Sequence, residues 1–274
     1  MDFKTILVDL AADAARDARL DAALTLASLF TARIVGLTAT GTLLDPYRSA
    51  GDEAARYQKM RDDMLNNLRQ ADASALDAAV ARRGRGIDTS HIVVEQESGW
   101  ALATRGTASD LILPPPPALT HDTPMLMATP AEYALLNAGR PILMMPPGTS
   151  LVPGGTVVVA WDGRREAARA VADAMPLLVL ASRVILQVIV SGSGPGEHGA
   201  ADAVRWLAQH GIGATLRIDE AASPADSLLR IVRNESADLL VTGGYGHSRL
   251  GELVMGGTTR TLLRSSPVPL LMSH

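Results

Sequence analysis

Cysteine is absent from the 274 residues, which excludes disulfides, thiolate metal centres, iron–sulfur clusters and a cysteine nucleophile. Lysine is nearly absent: only Lys4 and Lys59 occur, and the remaining basic charge is arginine. Aromatic residues make up 3%, so aliphatic side chains must fill any core. No run approaches the roughly 18 apolar residues of a transmembrane helix, and Asp9, Asp13 and Asp17 interrupt any leader-like segment. A soluble, cytoplasmic protein without membrane contact is therefore expected. A basic excess is also missing. The net charge of −4 and pI near 5.9 argue against nucleic acid as a partner. What remains is 47% hydrophobic and 20% charged, enough to bury a core and long enough for two domains.

The chain contains itself twice. DLIL at 110–113 recurs as DLLV at 238–241, 128 positions on, and PILM at 141–144 recurs as PLLM at 269–272 with the same spacing. TILV at 5–8 recurs as TVVV at 156–159, 151 positions on, and ARIVGL at 32–37 recurs as SRVILQ at 182–187, 150 positions on. The first copy is longer by about 23 residues, and the surplus falls within 41–90, where a charged, alanine-rich stretch at 53–83 reads as helix. Prolines and glycines at Pro146, Pro147, Gly148, Pro153, Gly154 and Gly155 punctuate the chain between the copies. The expected domains are 1–148 and 154–274.

Each copy alternates continuous apolar strands with helices. In the second, strands are expected at 156–161, 184–190, 214–219, 238–241 and 268–272, with helices near 164–181, 200–210, 224–235 and 257–265. This pattern implies an α/β fold, a parallel sheet covered on both faces and doubly wound by right-handed crossovers. In such sheets ligands bind at the carboxyl ends of strands. The closing strand of the first copy, 141–145, is expected to pack near 269–272.

The segment between 242 and 259 follows a strand and enters a helix, with glycines at 243, 244, 246, 251, 256 and 257. Glycines let backbone N–H groups approach a phosphate, and a helix start near Gly257 adds unpaired donors. His247, Ser248, Arg249, Thr258 and Thr259 could add side-chain contacts. Neither a Walker loop nor the dinucleotide fingerprint is present. A purely structural, glycine-rich turn is the alternative.

The spacing Gly243-x2-Gly246-x9-Gly256 resembles the nucleotide-binding signature of the universal stress protein family. VVVAWDG at 157–163 and the closing LLRSSPVPLL at 262–271 resemble its opening strand and its final helix and strand. The resemblance covers the second copy and, more weakly, the first. It implies two flavodoxin-like, adenine-nucleotide α-hydrolase-like domains forming an intramolecular pseudo-dimer. It also implies that the loop and helix start hold the phosphates of ATP, or of ADP or AMP, often with a divalent cation such as Mg²⁺. With the loop residues that could reach a phosphate, the candidate site is Ala160, Trp161, Asp162, Val188, Gly243, Gly244, Gly246, His247, Ser248, Arg249, Gly256, Gly257 and Thr258, His247 being equally readable as an ordinary polar loop residue. Asp162 matches the ribose and adenine contact, Ala160 the adenine wall, and Val188 the strand residue whose backbone reads adenine. The family usually has Ser or Thr directly after the last glycine. Here that residue is Gly257, so the hydroxyl contact moves to Thr258 or is lost.

At the same spacings Gly243, Gly246 and Gly256 correspond to Pro115, Ala118 and Ala128, and Asp162 to Ala11. The run Pro114–Pro117 removes N–H donors where a phosphate would need them. No family-type nucleotide site is expected in the first copy, which reads as a structural or regulatory partner.

The six histidines show no metal-ligand spacing, and Asp219, Glu220 and Glu252 have no evident catalytic partner. The resulting expectation is a regulatory, stress-type ATP-binding protein with slow or no hydrolysis, an unidentified protein partner, and dimerisation of the whole chain left open. Two alternatives stand beside it. One is a non-nucleotide interaction module using the helix at 53–83 or the proline loop. The other is an enzyme on a related fold.

Overall fold

Short aliphatic runs form the strands, and the alanine-rich segments between them form the helices that cover the sheet. The computed structural model describes residues 2–41, 52–83, 86–117, 128–191, 199–246 and 257–274. The first half runs β1 (Thr5–Asp9), α1 (Arg16–Phe30), β2 (Arg33–Ala39), α2 (Asp52–Arg83), β3 (Thr89–Val94), α3 (Ser98–Gly106), β4 (Leu111–Leu113), α4 (Pro130–Asn137) and β5 (Ile142–Met144). The second runs β6 (Thr156–Ala160), α5 (Arg165–Leu178), β7 (Arg183–Val190), α6 (Ala200–Gln209), β8 (Ala214–Glu220), α7 (Pro224–Asn234), β9 (Leu239–Gly243), α8 (Thr258–Ser265) and β10 (Leu270–Ser273).

All ten strands lie in one sheet, in the order β3-β2-β1-β4-β5-β10-β9-β6-β7-β8. The two halves of this order are the same topology read outward from the centre. Every pairing within a half is parallel. The central one is antiparallel, with Leu270, Leu271 and Met272 opposite Met144, Leu143 and Ile142. The fold is therefore the doubly wound α/β architecture expected, closed across the middle by the strands that end each copy.

One buried cluster lies beneath α1, α2, α5 and α6, and the other beneath α3, α4, α7 and α8. Alternate strand residues serve opposite clusters, as the two-residue period of a strand requires: Val157 and Val159 enter one, Val158 the other. An acid recurs in the same role in both halves. Asp110 accepts hydrogen bonds from the backbone of Lys4 and Thr5 (2.7 and 2.9 Å), and Asp238 from that of Thr156 (2.7 Å). Each aligns the start of a first strand with the start of a fourth. The 32-residue α2 absorbs the extra length of the first half, where the second has the ten-residue α6. Among the described residues, no helix is long and apolar enough to cross a membrane.

Candidate functional site

A cleft of about 550 Å³ opens at the carboxyl ends of β6, β7 and β9. Its apolar end is formed by Ala160, Trp161, Ile189 and, from α7, Pro224 and Leu228. Its polar end is formed by Asp162, Arg164, Glu166, Gly243, Tyr245, Gly246, Thr258 and Thr259. Buried Gln187 lines the cleft as well. An apolar slot continuous with a polar, glycine-edged end suits a ligand with a flat ring system and an anionic tail.

Five of the expected site residues line this cleft together with Thr258: Ala160, Trp161, Asp162, Gly243 and Gly246. The others divide. Val188 is fully buried and packs in the core beneath α5 and α6, on the other face of the sheet. Strand alternation instead turns Gln187 and Ile189 toward the cleft. Gly244 faces the first half. A Cβ on it would lie 2.7 Å from Leu135 Cδ2, its N–H donates to Ser273 O (2.8 Å), and its carbonyl accepts from His274 Nδ1 (3.0 Å). Gly257 is the N-cap of α8. His247, Ser248, Arg249 and Gly256 lie outside the described residues.

Gly243 is the last residue of β9 and not part of the loop. Its bareness has a packing cause, because a Cβ there would come within 2.6 Å of the backbone of Glu166 and Ala167 in α5. Gly246 differs. A Cβ on it would point among Glu166 Oε2, Arg164 Cδ and Asp162 Oδ2, at 3.3, 3.4 and 3.7 Å. It is the glycine that keeps the polar end open.

Sequence reasoning missed three residues that shape this end, Arg164, Glu166 and Tyr245. Arg164 donates to Gly246 O (2.8 Å) and lies 3.8 Å from Asp162 Oδ2, spanning the mouth. Asp162 also accepts from the backbone of Arg164 (3.0 Å), which turns the chain from β6 into α5. Glu166 is buried and paired with Arg165. Burial pushes its carboxyl pKa up. The hydrogen bond from Arg165, its own backbone N–H and the charges of Arg165 and His274 outweigh that and hold it below the usual range. Thr259 accepts the backbone N–H of Tyr245 (2.9 Å), so this hydroxyl serves the loop's shape. Tyr245 has φ +57°, a left-handed backbone unusual for a bulky residue. The available signal was position: all three flank the expected turns.

The first half is built differently at the equivalent place. Asp9 stands where Ala160 lines the cleft, and its buried carboxylate accepts from the Ala11 N–H (2.8 Å) and the Ser98 hydroxyl (2.6 Å). Arg19, fully buried, donates to Asp9 O and Ala11 O (both 2.9 Å) and to Asp13 Oδ1 (3.0 Å). The turn after β1 is thus closed on itself. The start of α4 is closed as well, by a reciprocal cap. Thr129 Oγ1 accepts the Glu132 N–H, and Glu132 Oε2 accepts the Thr129 N–H. At the matching start of α8, Gly257 has no side chain with which to cap. Among the described residues, no group of three or more His, Asp or Glu is arranged to hold a metal ion.

Comparison with known proteins bears chiefly on the second half. Residues 155–274 match the model of the universal stress protein family. The universal stress protein Slr1230 of Synechocystis sp. is 39% identical over 46 residues, which cover 17% of this chain and 16% of that relative. The match therefore spans about a sixth of the relative's length. A universal stress protein from Archaeoglobus fulgidus DSM 4304 superposes with a TM-score of 0.73 at 16% identity, covering 98% of this chain and 95% of its own. The functionally unknown protein PA1789 from Pseudomonas aeruginosa PAO1 superposes with a TM-score of 0.55 at 17% identity, covering 99% and 92%. At these identities the two structures establish the fold across nearly the whole chain.

Proposed function

From the match of residues 155–274 to the universal stress protein family, we propose that their cleft binds an adenine nucleotide, ATP in the first instance. The protein then acts as a regulatory nucleotide-binding protein built from two copies, 1–148 and 154–274, of which only the second binds. The observation that carries this reading is the position of Gly246. It edges the polar part of the cleft without filling it, in a cleft that the first turn of α8 and the apolar Trp161, Ile189 and Leu228 also line. The base lies against Trp161, Ile189 and Leu228, and the phosphates lie toward Gly246, Thr258 and the first turn of α8. A divalent cation is held chiefly by phosphate oxygens, with half-exposed Asp162 as the nearby carboxylate, since Glu166 is committed to Arg165. With Glu166 so paired, no described carboxylate of the cleft is poised to activate a water, and hydrolysis is slow or absent.

A second reading, an interaction module with a purely structural loop, draws on Gly243 and Gly244. Packing against α5 and Leu135 alone accounts for their missing side chains. Its partner surface is the exposed face of α2, where Met60 and Met64 are 65% and 55% accessible.

Calorimetric titration with ATP and Mg²⁺ separates the two. One site per chain is expected, lost in Gly246→Asp, whose carboxylate enters the space between Asp162 and Glu166 where phosphates sit. No binding by the wild-type protein, or unchanged affinity in the variant, refutes the nucleotide reading.

A further inference from the structure

Glu132 belongs to the half whose own turn is closed, yet it reaches the glycine loop of the other half. It is 1% exposed. Its Oε2 closes the cap on α4, and its Oε1 accepts two further hydrogen bonds, both from the second half. One comes from Arg260 Nε on α8 (2.8 Å) and the other from the Tyr245 hydroxyl (2.8 Å). Tyr245 stands between Gly244 and Gly246, and its N–H is held by Thr259 Oγ1. Tyr245 and Thr259 both line the cleft. One buried carboxylate therefore holds the loop side and the helix side of the same opening. Burial pushes the Glu132 pKa up, but the Thr129 N–H, Arg260 and Tyr245 together hold it below the usual range, so the acceptor is ionised at neutral pH.

We infer that Glu132 is a positioning residue for the cleft of the other half: it anchors the Tyr245 ring and so fixes the backbone of residues 244–246 against α8. A left-handed tyrosine persists only where its surroundings enforce it, and this hydroxyl contact ties the far end of the ring. The half whose own first turn is closed thus supplies the strut that shapes its neighbour's cleft. The inference rests on the nucleotide reading for its effect on affinity, but not for its effect on loop order.

Two measurements on the full chain test it: amide hydrogen exchange in the nucleotide-free protein, and titration with ATP and Mg²⁺. In Tyr245→Phe, the amides of Tyr245 and Gly246 are expected to exchange at least tenfold faster, while those of β9 keep wild-type rates. ATP affinity is expected to fall about tenfold. Glu132→Ala should loosen the loop in the same way, and Glu132→Gln, which keeps an acceptor oxygen, should restore much of the order. If Glu132→Ala fails to fold, because it removes the buried carboxylate that pairs with Arg260 and caps α4, then Tyr245→Phe decides alone. Unchanged loop exchange in Tyr245→Phe overturns the inference. So does faster exchange with unchanged ATP affinity. If the wild-type protein binds no ATP, the functional reading fails separately, and the exchange rates alone sustain or overturn the anchoring role.

Discussion

Asp9 and Glu132 are both buried carboxylates in the first half, and they respond to pH in opposite senses. Burial raises the Asp9 pKa, and the hydrogen bonds from Ser98 and Ala11 and the charge of Arg19 do not fully offset it. A carboxyl whose folded pKa lies above its unfolded value stabilises the fold at low pH, and that contribution is lost as pH rises through the folded pKa. Asp9→Asn keeps an acceptor for the Ala11 N–H and offers a donor to Ser98. The variant is expected to unfold at higher denaturant concentration than wild type near neutral pH, with the gain shrinking below the ordinary aspartate range. Equal midpoints at both pH values would contradict this. Glu132 and Glu166 lie below the usual range, so they stabilise above it and lose that contribution as pH falls through their folded pKa values. Acidification should therefore loosen the contact between the halves and the mouth of the cleft while it relieves the turn after β1.

Among the elements, the approach of β9 to α5 makes the sharpest demand. At Gly243 a Cβ would meet helix backbone at 2.6 Å, whereas at Gly246 the neighbours are side-chain ends at 3.3 Å and beyond. Gly243→Ala is expected to cost about 1–3 kcal/mol by forcing α5 away from the sheet. Gly246→Ala should change stability by no more than about 0.5 kcal/mol. Urea denaturation of the two variants side by side checks the contrast, and equal losses would show that both positions only pack. These two glycines look alike in a sequence, and that marks where legibility ended. The doubly wound parallel architecture and the packing of the two closing strands followed from the apolar runs and the two fixed spacings, whereas the strand-aligning role of Asp110 and Asp238 came only with the structure. The cleft's place followed from the carboxyl ends of parallel strands. Gln187 and Ile189 were missed because a continuous apolar run such as VILQVIV does not announce which alternate residues point where. Glu166 and Arg164 escaped because a helix start after a strand has no periodic signature, and Tyr245 because its reach depends on a helix 113 residues away in sequence.

Across the whole molecule, the two halves meet about a pseudo-twofold axis that runs through the antiparallel β5–β10 pair. Helices α4 and α8 occupy equivalent positions, 128 residues apart, and so do Glu132 and Arg260. Equivalent residues that touch must lie beside the axis, and here they form a buried ion pair of 2.8 Å. Arg260→Glu puts two carboxylates at that point and is expected to cost about 3–5 kcal/mol. Adding Glu132→Arg should recover a substantial part, although the Tyr245 hydroxyl then loses its acceptor. Denaturation of the two single variants and the double variant completes the cycle, and additive losses would mean that the pair has no coupling of its own. The pair has one more consequence, which concerns inheritance. In an assembly of identical chains, any substitution on the symmetry axis is made twice, and like meets like. An acid facing a base at that point is open only to a chain that carries both copies and can change one of them alone.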